Sequence, residues 1–419
     1  MRVYCYTPFH LCRSNLLDLA RIRQLVGSES EHGLELVDDP SGADVIIITT
    51  CAFDQEHENS SLNELARIKR EFPAAKLVVG GCLPEIDPVA MESFEPDAVF
   101  SPRKFDQLAS FLDLKPGLDS EPGSIQELES ECGSFELPRP LEYRLQAMAW
   151  NVVSGLRKGL LAFGISSMGL DTLYRIGFHY SKQTLFVRAT EGCLGSCTYC
   201  AIRKARGTLK SRPIERISAA VQAGLNKGFD TIALVSDDLA SYGRDLGVGL
   251  PDLLENLARL EKGFELALDN VNPAGLAVLK KDLFRFFEKN MVSYMEVPVQ
   301  SGSNRILKLM GRPYRAEDAF FNLDEIKKRF PRVILATHIM VGFPGETRQD
   351  FEESCQWIRN APVDHFTILA YQERPGTPAA GFDNKVPMRE RRARKAKALA
   401  LAGKRFLSNL LCFRKYQAA

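Results

Sequence analysis

Six short apolar runs recur between residues 184 and 375, at Thr184–Ala189, Thr231–Ser236, Glu265–Asp269, Tyr294–Val299, Val333–Val341 and Thr367–Tyr371, each followed by a stretch with helical periodicity. The runs are rich in β-branched residues and too short for helices, so they read as strands. A strand that returns parallel to the one before it needs a crossover of about a dozen residues or more, usually a helix. The beat therefore predicts a parallel sheet curled into a partial (β/α)6 barrel, with its working residues on the loops after the strands. Residues 1–110 show the same alternation on a smaller scale, with strand-like Arg2–Tyr6, Asp44–Thr49 and Lys76–Val79 separated by helix-like Asn15–Val26 and Ser61–Phe72. That segment reads as a small doubly wound parallel α/β domain. Between the two, residues 111–183 change character. Pro116-Gly117, Pro122-Gly123 and an acidic run mark a linker, and an apolar helical strut follows. The expected organisation is thus 1–110, 111–183, a barrel over 184–387 and a basic helical tail over 388–419.

With 45% hydrophobic and 26% charged residues, the chain has an ordinary globular balance that excludes global disorder, collagen and coiled coil. The start Met1-Arg2-Val3-Tyr4-Cys5 is not a secretion signal, and no uninterrupted apolar run is long enough to span a bilayer. A cytoplasmic, non-membrane protein is expected. Ten cysteines in such a protein point to metal or redox chemistry, because the cytosol keeps thiols reduced. The net charge of +1 hides an asymmetry, for the tail carries nearly all of the excess positive charge and Glu390 is its one acid. Two readings of that tail stand open: a contact for nucleic acid or an acidic partner, and a closing helix with a solvated basic face.

The sharpest chemical signal is Cys193-x-x-x-Cys197-x-x-Cys200, directly after the first barrel strand. Three thiolates on one loop can grip three irons of a [4Fe–4S] cube and leave the fourth open to a ligand. Zinc is the competing metal, but it normally closes its shell with a fourth Cys or His, and none follows nearby. Strand-end Ser236, Asp237 and Asp238 can receive an ammonium or ribose hydroxyls, or can serve as helix caps. The turn Gly342-Phe343-Pro344-Gly345-Glu346 lets a ligand approach the backbone closely beside a carboxylate.

The three-cysteine loop on a β/α barrel resembles the radical S-adenosylmethionine (SAM) superfamily. There the open iron chelates SAM, and an electron cleaves it to methionine and a 5′-deoxyadenosyl radical that abstracts hydrogen from an unreactive C–H bond. Val297-Pro298-Val299-Gln300-Ser301-Gly302-Ser303-Asn304 with Leu309-Met310-Gly311-Arg312, then Val341–Thr347, then Arg374-Pro375-Gly376-Thr377-Pro378-Ala379, resemble the methylthiotransferases of tRNA and of a ribosomal protein. Ser236–Asp245 with Ala205-Arg206-Gly207 is most similar to the branch acting on threonylcarbamoyladenosine in tRNA. The resemblance implies SAM contacts at Ser236, Asp237, Gln300, Gly342, Gly345 and Glu346.

Cys12, Cys51 and Cys82 each follow one of the strands of the N-terminal domain, whose ends converge on one sheet edge. By themselves they read as free buried thiols rather than as a ligand set. The resemblance implies that they hold a second, auxiliary [4Fe–4S] cluster carrying the added sulfur, one SAM giving a methyl group and a second SAM the radical. The product is then a C–S–CH3 group on a peptide, protein or tRNA, with a flavodoxin or ferredoxin as electron donor. Cys5, Cys132, Cys355 and Cys412 are left as structural thiols. Relatives usually end in a β-barrel module that helps to hold the substrate, whereas only about 30 residues follow Pro387, so that module is expected to be missing. His338 stands where relatives typically have an acid, and no role is assigned to it. A single-cluster radical SAM enzyme and a non-catalytic iron–sulfur sensor remain the alternatives.

Overall fold

A computed structural model describes residues 1–8, 12–28, 33–114, 184–260 and 263–412. Most of the expected linker and strut, with Cys132, lies outside these residues, as does 413–419. The first sheet comprises β1 (Arg2–Tyr6), β2 (Glu35–Leu36), β3 (Val45–Thr50), β4 (Lys76–Gly81) and β5 (Ala98–Val99), all parallel in the order β2-β1-β3-β4-β5. Every residue of the central Val-Ile-Ile-Ile-Thr-Thr strand β3 is buried, as befits a parallel strand covered on both faces. Helix α1 (Arg13–Ser28) packs Leu17, Ile22 and Leu25 against Val3, Cys5 and Ile47 on one face. Helix α2 (Gln55–Glu71) packs Leu65 and Ile68 against Tyr4, Ile46 and Ile48 on the other. Asp54 starts α2 by accepting the His57 N–H at 2.8 Å.

The second sheet is parallel and strictly sequential: β6 (Thr184–Arg188), β9 (Thr231–Val235), β10 (Glu265–Leu268), β11 (Val292–Glu296), β12 (Ile334–Val341) and β13 (His365–Ala370). A small antiparallel pair, β7 (Thr190–Glu191) and β8 (Lys210–Ser211), brackets the cysteine loop. Leu185, Val187, Leu234, Leu268 and Met295 face the surrounding helices, while Phe186, Ala233, Ala267, Tyr294, Ile334 and Ala336 face inward. The sheet is thus an open barrel with β6 and β13 as its free edges. Strand β11 begins and ends earlier than the expected Tyr294–Val299, since Pro298 has no N–H to give a ladder.

The inward residues join one continuous apolar cluster with α1, so the first unit packs into the open barrel. Ion pairs fasten it near both edges: Asp18 of α1 lies 2.7 Å from both Arg188 and Arg206, and Glu58 of α2 pairs with buried Arg374 beyond β13. Arg13 and Asp269 pair between these two fastenings. The terminal helix Met388–Cys412 packs on β13 and the helix Arg348–Asn360. Part of its positive charge serves that packing. Arg394 pairs with Glu346 and Glu390, Lys397 with Glu352, and Arg391 donates to the Tyr371 carbonyl at 2.7 Å. Cys5 and Cys355 are buried in the two cores, while the side chain of Cys412 lies outside the described set. No described helix is long and apolar enough to cross a membrane.

Candidate active site

Strands β1, β3 and β4 are neighbours, so the segments leaving their C-terminal ends emerge side by side and bring Cys12, Cys51 and Cys82 together. The Thr50 carbonyl organises all three segments. It accepts the Asn15 side-chain amide at 3.1 Å, one turn after Cys12, and the Cys82 N–H at 3.0 Å, and it immediately precedes Cys51. Gly81 makes that approach possible: its φ is +93°, and a Cβ there would stand 2.2 Å from the same carbonyl oxygen. Ser61 clamps Cys51, accepting its N–H at 3.1 Å and donating to its carbonyl at 2.8 Å. The Cys12 thiol is held down to about 7, first by a hydrogen bond with Cys51 and then by the Arg206 charge. Its partner Cys51 is pushed well up, and burial takes Cys82 up to about 12.

The second set sits on the loop between β7 and the short helix Ile202–Arg206. Cys193 Sγ accepts the Gly195 N–H at 3.1 Å, and a Cβ on Gly195 would lie 3.2 Å from that sulfur and 3.7 Å from Cys197 Sγ. Burial pushes Cys193 up to about 11 and Cys200 up to about 12. Distant motifs grip the loop. Thr198 donates its N–H to Met310 O at 3.0 Å and its hydroxyl to Leu309 O at 2.8 Å, and its own carbonyl accepts the Ala379 N–H at 2.9 Å. Arg312 donates to the Tyr199 hydroxyl and lies over its ring. Among the described residues no three His, Cys, Asp or Glu side chains sit close enough to share one metal ion.

Cys82 shares one apolar cluster with Ala201, the residue after Cys200, and Ala205, so the two sets lie near one another between the units, and the expected SAM contacts divide there. Ser236 Oγ is engaged by Thr190 at 2.5 Å and by the Asp238 N–H at 3.0 Å, and Asp237 accepts the Gly192 N–H at 2.9 Å. Both therefore brace the cysteine loop in this geometry. Gln300 holds a left-handed backbone at φ +72°, and its buried Oε1 has no partner; the same is true of Asp238 Oδ1. Gly342 and Gly345 take φ of +73° and +80°, and the Gly342 N–H donates to Glu346 at 2.7 Å. Glu346 turns to Arg394 of the terminal helix, with its Oε1 unpartnered.

Residues 187–358 match the model of the radical SAM superfamily, and residues 6–101 match that of the uncharacterized protein family UPF0004. The ribosomal protein uS12 methylthiotransferase RimO of Thermotoga sp. (strain RQ2) is 30% identical over 390 residues, covering 90% of this chain and 79% of that one. The probable threonylcarbamoyladenosine tRNA methylthiotransferase of Pyrococcus abyssi is 30% identical over 351 residues, covering 83% and 72%. The chain belongs to the radical SAM methylthiotransferase family. A radical SAM methyltransferase of Kitasatospora setae, TsrM, superposes with a TM-score of 0.56 at 12% identity, covering 90% of this chain and 77% of that one; it supports the fold.

A radical SAM methylthiotransferase binds SAM and [4Fe–4S] clusters, and the donor chemistry here suits them: soft thiols in both sets, and two orphaned buried oxygens, Gln300 Oε1 and Asp238 Oδ1, that an ammonium or hydroxyls would satisfy. Several residues that shape this methylthiotransferase site escaped the sequence reading. Asn15 and Asp18 are polar three residues apart on a helix face that is otherwise apolar, a pattern that signals a buried polar role. Arg206 stood inside a motif quoted for its resemblance. Thr198 and Arg312 carried no local signal, because their partners are more than a hundred residues away.

Proposed function

We propose that this methylthiotransferase converts an unactivated C–H bond of a peptide or protein into C–S–CH3, using two [4Fe–4S] clusters and two SAM. The observation that carries the reading is the meeting of two three-cysteine sets across one inter-unit seam. Cys193, Cys197 and Cys200 would hold the cluster that binds SAM, and Cys12, Cys51 and Cys82 the auxiliary cluster. When bound, these groups supply reductive SAM cleavage on one side of the seam and a sulfur carrier on the other.

The chain's own residues keep those functions in register. Thr50, Asn15 and Ser61 hold the segments carrying the dispersed cysteines side by side, and Leu309, Met310 and Ala379 hold the contiguous loop. Asp238 and Gln300 offer unpaired acceptors to the SAM ammonium and ribose, while Gly342, Gly345 and Glu346 lock the terminal helix over the far strands. Phe53 lies two residues after Cys51 and Leu194 follows Cys193; at 50% and 46% exposed, both offer apolar contact to an incoming substrate. A protein substrate is favoured because the body of the chain is acidic and Arg391, Arg394 and Lys397 are engaged internally. An electron donor of flavodoxin or ferredoxin type and a cytoplasmic setting complete the reading.

A tRNA adenosine of the threonylcarbamoyl class is the second reading, supported by the Ser236–Asp245 stretch and by exposed Arg389, Arg392 and Lys404. Mass spectrometry of tRNA nucleosides and of tryptic ribosomal peptides, with and without this gene, separates the two. A methylthio group lost from a peptide supports the first, and one lost from an adenosine replaces it with the second.

A further inference from the structure

One buried cation touches the framework of both cysteine sets. Arg206, at the end of the helix that follows Cys200, has a side chain only 2% exposed. It donates to Asp18 at 2.7 Å, to Asn15 Oδ1 at 3.4 Å and to Glu191 Oε1 at 3.3 Å. Asn15 spends its amide N–H on the Thr50 carbonyl, the hub of the dispersed set, while Glu191 lies two residues before Cys193. The path from one set to the other is therefore Glu191, Arg206, Asn15 and Thr50, each link a hydrogen bond or a peptide bond in a desolvated interior. A guanidinium is planar, permanently charged and able to serve several acceptors at once, which suits it to such a junction better than a lysine.

The charge has a second consequence. The buried guanidinium lies one hydrogen bond from Asn15, which stands three residues after Cys12 and donates to the same Thr50 carbonyl that accepts the Cys82 N–H. One-electron reduction adds a negative charge to a cluster, so a fixed positive charge beside its ligands favours the reduced form and raises the potential.

We propose that Arg206 is a positioning residue that ties the two cysteine loops together and holds the auxiliary cluster at a higher reduction potential than it would have without that charge. This rests on the reading that Cys12, Cys51 and Cys82 bind a cluster, and the test keeps the two apart. In the full chain carrying Cys193→Ala, Cys197→Ala and Cys200→Ala, the auxiliary cluster is observed alone, by iron content and by a dithionite titration followed by electron paramagnetic resonance. Arg206→Gln lowers the midpoint, shifting the reduced-to-oxidised ratio at fixed potential roughly tenfold, or about 59 mV for one electron. Asp18→Asn moves it the other way, and Arg206→Lys, which keeps the charge, stays near the parent. Opposite shifts are something a merely structural role would not produce. If Arg206→Gln retains iron at an unchanged midpoint, or if it and Asp18→Asn shift in the same direction, the role of Arg206 is overturned. Should Arg206→Gln not fold, the sign of the Asp18→Asn shift decides. A parent triple variant that binds no iron overturns instead the cluster reading beneath it.

Discussion

The two cysteine sets reach similar chemistry by opposite routes. Cys193, Cys197 and Cys200 lie within eight residues, so the covalent chain alone keeps them near one another. Cys12, Cys51 and Cys82 span 71 residues and meet only because three parallel strands end at one sheet edge. Their supports are inverted as well. The contiguous loop is pinned from outside, by Leu309, Met310 and Ala379, while the dispersed set is pinned from within its own domain by the Thr50 carbonyl and Ser61. Local spacing makes a site easy to build but leaves its loop in need of distant anchors. Strand topology supplies the anchoring itself.

The sharpest way to separate the sets is to remove one cysteine from each. Cys197→Ala should abolish 5′-deoxyadenosine formation from SAM by more than about a hundredfold, beyond the 10–100-fold typical of losing even an outer partner of a metal ligand. Cys51→Ala should leave that cleavage within about threefold while eliminating methylthio product, and iron should fall from about eight to about four per chain. Full methylthiolation by Cys51→Ala would show that the dispersed set is not needed.

A finer break uses the two glycines that admit a carbonyl. Gly81→Ala places a Cβ 2.2 Å from Thr50 O, and Gly192→Ala places one 2.3 Å from Thr208 O, both at positive φ. Each should destabilise the fold by about 1–3 kcal/mol in denaturant unfolding. The first should deplete iron mainly from the dispersed set and the second mainly from the contiguous loop, and equal depletion of both sets by either variant would show that the link through Arg206 outweighs the separate anchors of each set.

The smallest effect concerns the inner wall of the barrel. His338 lies 3.3 Å from Glu296, with Arg13 and Asp269 also facing it. Burial, the largest influence, pushes the imidazole down, but the Glu296 charge and hydrogen bond together carry it above its ordinary value. A raised folded value means the pair's contribution is full below about pH 6.5 and is lost as pH climbs through that higher value. The Tm should therefore decline as pH rises above about 6.5, and His338→Gln should flatten that slope. An identical slope in the variant would show that the pair is not the titrating element.

Much of the architecture was legible because hydrophobic period and length are local properties. The six barrel strands, the three long strands of the first sheet and the helices between them follow from runs such as Val45–Thr50 and Thr231–Val235. The two-residue strands Glu35–Leu36 and Ala98–Val99 did not, since two residues carry no alternation to read. Ser236 and Asp237 were legible as strand-end polar residues, yet nothing local revealed that they brace the cysteine loop while neighbouring Asp238 keeps a free oxygen. The basic tail was equally ambiguous, because a lysine or arginine reads the same whether it meets solvent, phosphate or a buried Glu346.

By itself the sequence determined the class of each unit and the three-cysteine loop, for backbone period and side-chain spacing are written within a few residues of one another. The tertiary structure decided which distant groups meet. It packed α1 into the open barrel, set Asp18 between Arg188 and Arg206, turned Glu346 toward Arg394 and brought Cys12, Cys51 and Cys82 to one sheet edge. Those outcomes depend on long-range packing and on satisfying buried charge. Such energies exist only once the chain has closed on itself.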